Sequence, residues 1–321
     1  MPEEGAVEVL AFGEALVALI AHPPGPLIEA TSFTPHVVGA ESNVAIGCAR
    51  LGRRVAFVGR VGEDDLGAMI TRRLSGEGVD ITHVTVDSAP TGLLLRNLRG
   101  VPPPSVLYRR SGSAGSQLCA ADVAAALNRA PAGAVCHVSA ITPALSPSAR
   151  EAFELLVQGV EAHACRLSLD LNYRLRLWTG EALKAALRPA VPASWLVTGT
   201  EAEAELITGV AGPGSARALV DLGAEIAVVR HGTAGATVHD RSSGSSLEVS
   251  GTVLDGIVDP VGAGDAFAAG LISSLIGGLP LAEAVALAHR CGAAVSGAVG
   301  DIEAALCAPE LTRWNGMEIH R

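Results

Sequence analysis

Apolar residues fall along this chain in two rhythms. Short runs rich in Val, Leu and Ala alternate with longer stretches in which apolar positions recur every three or four residues. Val7–Phe12, Arg54–Val58, Ala134–Val138, Arg166–Leu171, Trp195–Val197 and Ile226–Val229 read as strands. Asn43–Leu51, Leu66–Gly76, Pro147–Glu161, Thr179–Ala190, Thr200–Ile207 and Ser215–Leu222 carry the helical spacing. Strand–helix alternation of this kind predicts a mostly parallel sheet with helices on its faces. Two further strands, Gly235–Asp240 and Ser245–Val249, precede two C-terminal helices that start near Ala263 and Leu281.

Two regions break the rhythm. Ala15–Ala21 alternates and ends at the turn His22-Pro23-Pro24-Gly25. Gly92–Leu98 and Ser105–Arg110 also alternate, and they flank the turn signal Gly100-Val101-Pro102-Pro103-Pro104. A hairpin inserted into such a chain does not join a parallel sheet easily, so it is expected outside, as a flap. The apolar run Ala266–Leu279 is too short to span a bilayer and reads as a buried helix. No repeat or low-complexity linker interrupts the chain, which is read as one domain over residues 1–321.

Composition narrows the chemistry. With 49% hydrophobic but 3% aromatic residues, the interior must be built from small aliphatic side chains, as in a layered α/β protein. Lys184 is the one lysine among the 23 basic residues, and no glycine-rich loop adjoins it. A lysine-dependent phosphate loop is therefore excluded, and a Schiff base would have to use an unpromising residue. Phosphate, if handled, falls to backbone amides, arginine and metal. The net charge of −10 argues against nucleic acid as a partner. Six dispersed cysteines without a C-x-x-C pair read as buried thiols in a reducing compartment. The acidic start Met1-Pro2-Glu3-Glu4 is unlike a signal peptide, so a soluble, cytoplasmic protein with no membrane partner is expected.

The most informative segment is Asp259-Pro260-Val261-Gly262-Ala263-Gly264-Asp265, directly before the apolar helix. Small residues at Gly262, Ala263 and Gly264 let backbone N–H groups converge, and the helix dipole adds positive charge there. That makes an anion site without lysine. Asp265 could cap the helix. Its place inside the glycine turn points instead to a base that takes a hydroxyl proton while the amides hold a migrating phosphoryl group. The helix N-terminus is expected to keep Asp265 ionised at neutral pH.

The segment through Gly270 resembles the C-terminal signature of the ribokinase-like (PfkB) sugar kinases. Gly39-Ala40-Glu41-Ser42-Asn43-Val44-Ala45 is similar to that family's first substrate segment, and Gly59–Gly67 to its G-x-V-G-x-D-x-x-G block. The resemblance spans about residues 8–307. It implies a three-layer α/β ribokinase-like fold whose crevice is closed by a small β lid, built from residues 14–38 and 91–111. Within the family, Gly13–Leu16, Tyr108–Ala114, Ile141–Ser146 and Asp170–Trp178 look most like 2-keto-3-deoxygluconate kinases.

By position, the resemblance assigns Gly39, Ala40 and Asn43 to sugar hydroxyls, with Tyr108 in the substrate site. Arg110 would reach from the lid to the sugar-acid carboxylate, which a guanidinium fork suits. Asp170, Asn172 and Arg174 would face substrate and phosphate, and Asp301 would add a substrate-side carboxylate. Arg230, Gly232, Thr233 and Gly235, with Gly262 and Gly264, would meet the nucleotide. Glu203 would organise Mg²⁺ through water, with Thr200 where asparagine is usual. ATP and Mg²⁺ are thus implied, with a monovalent cation as an open addition, and a homo-oligomer paired through the lid. Val38, Leu94 and Arg109 depart from the subfamily pattern. The same chemistry on a neutral sugar, or a non-catalytic sugar-binding protein on this fold, are the alternatives. His137 and His231 read as structural.

Overall fold

A computed structural model describes residues 5–98, 106–252 and 256–308. In chain order the elements are β1 (Val9–Phe12), β2 (Leu16–His22), β3 (Ser32–Val38), α1 (Ala40–Arg50), β4 (Val55–Gly62), α2 (Asp65–Gly76), β5 (Val84–Asp87) and β6 (Leu93–Arg96). Next come β7 (Val106–Arg109), α3 (Ala120–Leu127), β8 (Val135–Ser139), α4 (Pro147–Ala162), β9 (Arg166–Asp170), α5 (Gly180–Leu187) and β10 (Ser194–Thr200). The chain closes with α6 (Glu201–Thr208), α7 (Gly214–Asp221), β11 (Ile226–Arg230), β12 (Gly235–Asp240), β13 (Ser245–Ser250), α8 (Ala263–Ile276) and α9 (Leu281–Ser296).

Nine strands form the main sheet in the order β13-β12-β11-β10-β9-β8-β1-β4-β5. From β11 to β5 neighbours run parallel, while β12 and β13 pair antiparallel at the edge. The period-2 pleat sends successive residues of β1 into different cores. Leu10 and Phe12 pack with α3, α4, α5, α6 and α7. Val9 and Ala11 pack with α1, α2, α8 and α9. Both faces being covered explains why strands such as Ile226–Arg230 are almost wholly apolar. Helix α8 is buried from Ala266 to Ser274. Its approach to α1 is close because Gly47 has no Cβ: one built there would lie 2.6 Å from the Cβ of Ala269.

The four-stranded second sheet, ordered β3-β2-β6-β7, is the expected flap. Strands β6 and β7 form the antiparallel hairpin, and β2 joins β6 in parallel. The turn expected at residues 100–104 lies outside the described residues. Sequence reading missed α3 and β5. Among the described residues no helix is long and apolar enough to cross a membrane, and no disulfide forms among the described cysteines.

Candidate active site

The carboxyl ends of β1, β8, β9, β10 and β11 open on one edge of the main sheet, where ligands of open α/β sheets bind. Helix α8 starts at that edge. Gly262 is its N-cap, in the left-handed region at φ 82°. A Cβ there would overlap the carbonyl oxygen of Asp301, so both conformation and space demand glycine. The first N–H groups of a helix have no intrahelical acceptor. Here the N–H of Ala263 leans on the Pro260 carbonyl at 3.4 Å. The rest of the turn is built of the small residues Ala263 and Gly264.

Asp265 does not cap the helix, since no side-chain cap bond is present. Its Oδ2 accepts from the Asn43 amide at 2.7 Å, which joins α1 to α8 across the site. Asn43 is 1% exposed, and its Oδ1 is buried with no partner. A substrate hydroxyl would satisfy that acceptor. The expectation that Asp265 stays ionised needs correction. Burial pushes its carboxyl up to about 7, Asn43 opposes the rise, and Asp170 and Asp301 add to it. Desolvation and like charge outweigh the helix dipole. Asp301 is likewise pushed up to about 6, chiefly by burial.

Gly39 caps α1 at φ 146°, and its carbonyl accepts from the Asn43 N–H at 2.7 Å. Ala40 starts the helix. Behind them Glu41 is buried and accepts from Ser139 N–H (3.0 Å), Ser139 Oγ (2.6 Å) and Thr142 Oγ1 (2.8 Å). Burial nevertheless raises its pKa.

Arg230 and Asp170 sit beneath the turn. Arg230 donates to Asp170 Oδ1 at 3.1 Å and to the Gly264 carbonyl at 3.3 Å, and stacks over Phe267. Burial disfavours its charge, but Asp170, Glu203 and Asp265 outweigh that and raise its pKa. Asp170 also accepts from Thr198 Oγ1 at 2.8 Å. The pair thus props the turn. Asn172 follows at φ 27°, a left-handed conformation that asparagine tolerates. Arg174 is exposed, and its charge lowers the Asp265 pKa. Gly232 and Thr233 form an exposed 3₁₀ turn after β11, and Gly235 opens β12 at φ 122°.

Glu203 is buried, not an exposed helix acid. Its Oε2 accepts from the Thr200 N–H at 2.7 Å in a capping box, and Oε1 from the Tyr173 N–H at 2.8 Å. Each oxygen keeps a lone pair, which fits a water-mediated contact to a metal. Among the described residues no three His, Cys, Asp or Glu side chains cluster as a metal site.

On the lid, register places His36, Ala18, Leu94 and Tyr108 in one row, and Thr34, Ile20, Arg96 and Val106 in the next. These rows share the face turned to the body, because His36 bonds Glu303 (2.9 Å) and Arg96 bonds Asp259 (2.7 Å). Tyr108 is therefore on the crevice side and Arg109 on the other. Arg110 folds back on buried Glu14: Nε lies 2.7 Å from Oε2, and Nη2 bonds the same oxygen. Ser113 Oγ holds the other Glu14 oxygen. Glu14, Glu41, Arg96 and Thr198 were not singled out from sequence. Arg96 had one visible signal, a charge ending the apolar run Leu93-Leu94-Leu95.

Residues 7–306 match the pfkB family of carbohydrate kinases. The chain is 36% identical to the 2-dehydro-3-deoxygluconokinase of Bacillus subtilis (strain 168), covering 92% of each chain. It is also 36% identical to the 2-dehydro-3-deoxygluconokinase of Thermoproteus tenax, over 94% of this chain and 92% of that one. Among solved structures, the PfkB protein from Polaromonas sp. JS666 matches with TM-score 0.84 at 34% identity, covering 96% of this chain and all of that one. The fructokinase from Vibrio cholerae O395, bound to fructose, ADP and calcium ion, matches with TM-score 0.84 at 28% identity, over 97% and 99% of the chains. The fold, the helix-start turn with its aspartate and these matches agree: the chain belongs to the pfkB family of carbohydrate kinases.

Proposed function

We propose that the chain transfers the γ-phosphoryl group of ATP to the terminal hydroxyl of 2-keto-3-deoxygluconate, giving 2-keto-3-deoxy-6-phosphogluconate. The observation that carries this reading is Asp265, half-buried at the start of α8, bonded to Asn43 and shifted to about 7. A carboxylate of that strength accepts a hydroxyl proton far better than an ordinary one near neutral pH. The hydroxyl oxygen forms the new bond to phosphorus, the bond to the ADP oxygen breaks, and the proton goes to Asp265. The N–H groups at the start of α8, which have no intrahelical acceptor, and the α8 dipole favour the charge on the transferred group. Glu203 would hold Mg²⁺ through water, and the ion would supply neutralisation of the phosphate charge. The resemblance to two 2-dehydro-3-deoxygluconokinases supports the sugar acid.

The second reading, a neutral sugar, is favoured by one observation: Glu14 already engages two nitrogens of Arg110. For a sugar acid, Arg110 offers Nη1. A coupled ATPase screen of sugar acids and neutral sugars tests both. Arg110→Ala is expected to raise KM for the acid by about ten- to a hundredfold, the worth of one charged hydrogen bond or more, and to leave neutral sugars nearly unchanged. Equal effects on both classes contradict the acid.

The other face of the lid carries Pro35, Leu19, Leu95 and Leu107 in one register row, packed on the body at Leu19 and exposed at Leu107. Phe33 and Leu107 are 37% and 41% exposed. This row supports a homo-oligomer paired through the lid. The six thiols, none in a disulfide, suit a reducing cytoplasm.

A further inference from the structure

The lid and the phosphoryl-handling turn meet at one buried ion cluster. Arg96 closes β6 on the body-facing side and is 4% exposed. Its Nη2 lies 2.7 Å from Asp259 Oδ2 and 3.4 Å from Asp301 Oδ1. Asp259 is fully buried and opens the segment that becomes the turn. Asp301 lies against the turn itself, its carbonyl occupying the space a Gly262 side chain would need. The 301–305 segment is pinned from below by Arg50, whose Nη1 donates to the carbonyls of Ile302 (2.8 Å) and Ala305 (3.1 Å). From above it is held by His36 on Glu303.

Two carboxylates so placed repel one another unless a cation stands between them. Packing alone does not ask for a charge there, since an apolar side chain would fill the space without desolvation cost. Arg96 Nη1 is buried with no hydrogen-bond partner. The guanidinium is accounted for by the carboxylates it neutralises.

We propose that Arg96 is a positioning residue: it is the built-in countercation of Asp259 and Asp301, and it fixes the turn at residues 262–265 relative to the lid. The inference rests on that turn being the catalytic one. With the cation gone, the carboxylates repel and separate, and the turn moves relative to Asn43 and the lid. Displacement of about 1 Å at a reacting centre costs on the order of a hundredfold in rate. Substrate contacts elsewhere are untouched, so the loss belongs in kcat.

Steady-state kinetics of Arg96→Ala test this, with ATP and the sugar each varied. Expected are a kcat lower by about ten- to a hundredfold and KM values within about threefold of wild type. Millimolar guanidinium chloride is expected to restore part of kcat, while equimolar urea and sodium chloride do not. Wild-type kcat, a loss confined to the sugar KM, or a loss that guanidinium does not relieve would each overturn the proposal. Arg96→Lys carries the test if the alanine variant does not fold. It keeps the charge and should lose less kcat than tenfold, about, with KM unchanged; a sugar-KM defect overturns the role. Asp265→Asn is measured alongside. If it retains full turnover, the catalytic assignment of the turn fails. If it is inactive while Arg96→Ala is wild type, only the role of Arg96 fails.

Discussion

At the scale of single residues, environment decides more than identity. An aspartate in the first turn of a helix is ordinarily held ionised by the dipole. Asp265 departs from that because its carboxyl is desolvated and shares its surroundings with Asp170 and Asp301. The sign of the pH dependence follows. Only the ionised carboxylate accepts a proton, so kcat should be small below pH 6 and rise through about 7 before levelling. A stopped assay over that range checks it; a flat profile from pH 5 to 8 would contradict the shift. Asp265, Asn43 and the glycines were legible because chemistry and conformation restrict those positions to few residue types. The partners of Arg110 were not: nothing local says that Glu14, distant in sequence, takes its fork. Glu203 shows the same limit, since a capping box and a metal-organising acid look alike as text.

At the scale of elements, strands and helices followed from periodicity wherever one face was buried. Helix α3, Ala-Ala-Asp-Val-Ala-Ala-Ala-Leu, escaped although Val123, Ala126 and Leu127 recur at helical spacing and are buried. Strand β5 escaped because it is a short, half-exposed edge. The lid could be recognised as foreign to the main sheet, but its two faces became distinguishable only with the register. One face carries Arg96 and His36 toward residues 259–303, and the other packs Leu19 on the body and leaves Leu107 exposed. If the Leu107 row pairs lids, Leu107→Asp should shift the protein from dimer to monomer by light scattering while each monomer stays folded. An unchanged mass would remove the lid from the interface.

At the scale of the whole molecule, low aromatic content is answered by close packing of small side chains. Gly47 against Ala269 lets α1 and α8 approach, and that approach puts Asn43 on Asp265. The two-core α/β plan was legible because each parallel strand is apolar on both faces. The convergence of β6, the 259–265 segment and residues 301–303 was not, since the contacts join distant parts of the chain and leave no periodic trace. The near absence of lysine finds its structural counterpart here: buried Arg96 and half-buried Arg230 anchor the α8 turn through Asp259, Asp301, Asp170 and Gly264. The most direct test of the account is sugar-dependent ADP formation by wild type and Asp265→Asn at pH 8. The account predicts a kcat about 10²- to 10⁴-fold lower in the variant, as for loss of a general base, with the fold retained; an Asp265→Asn enzyme that turns over at the wild-type rate would contradict it.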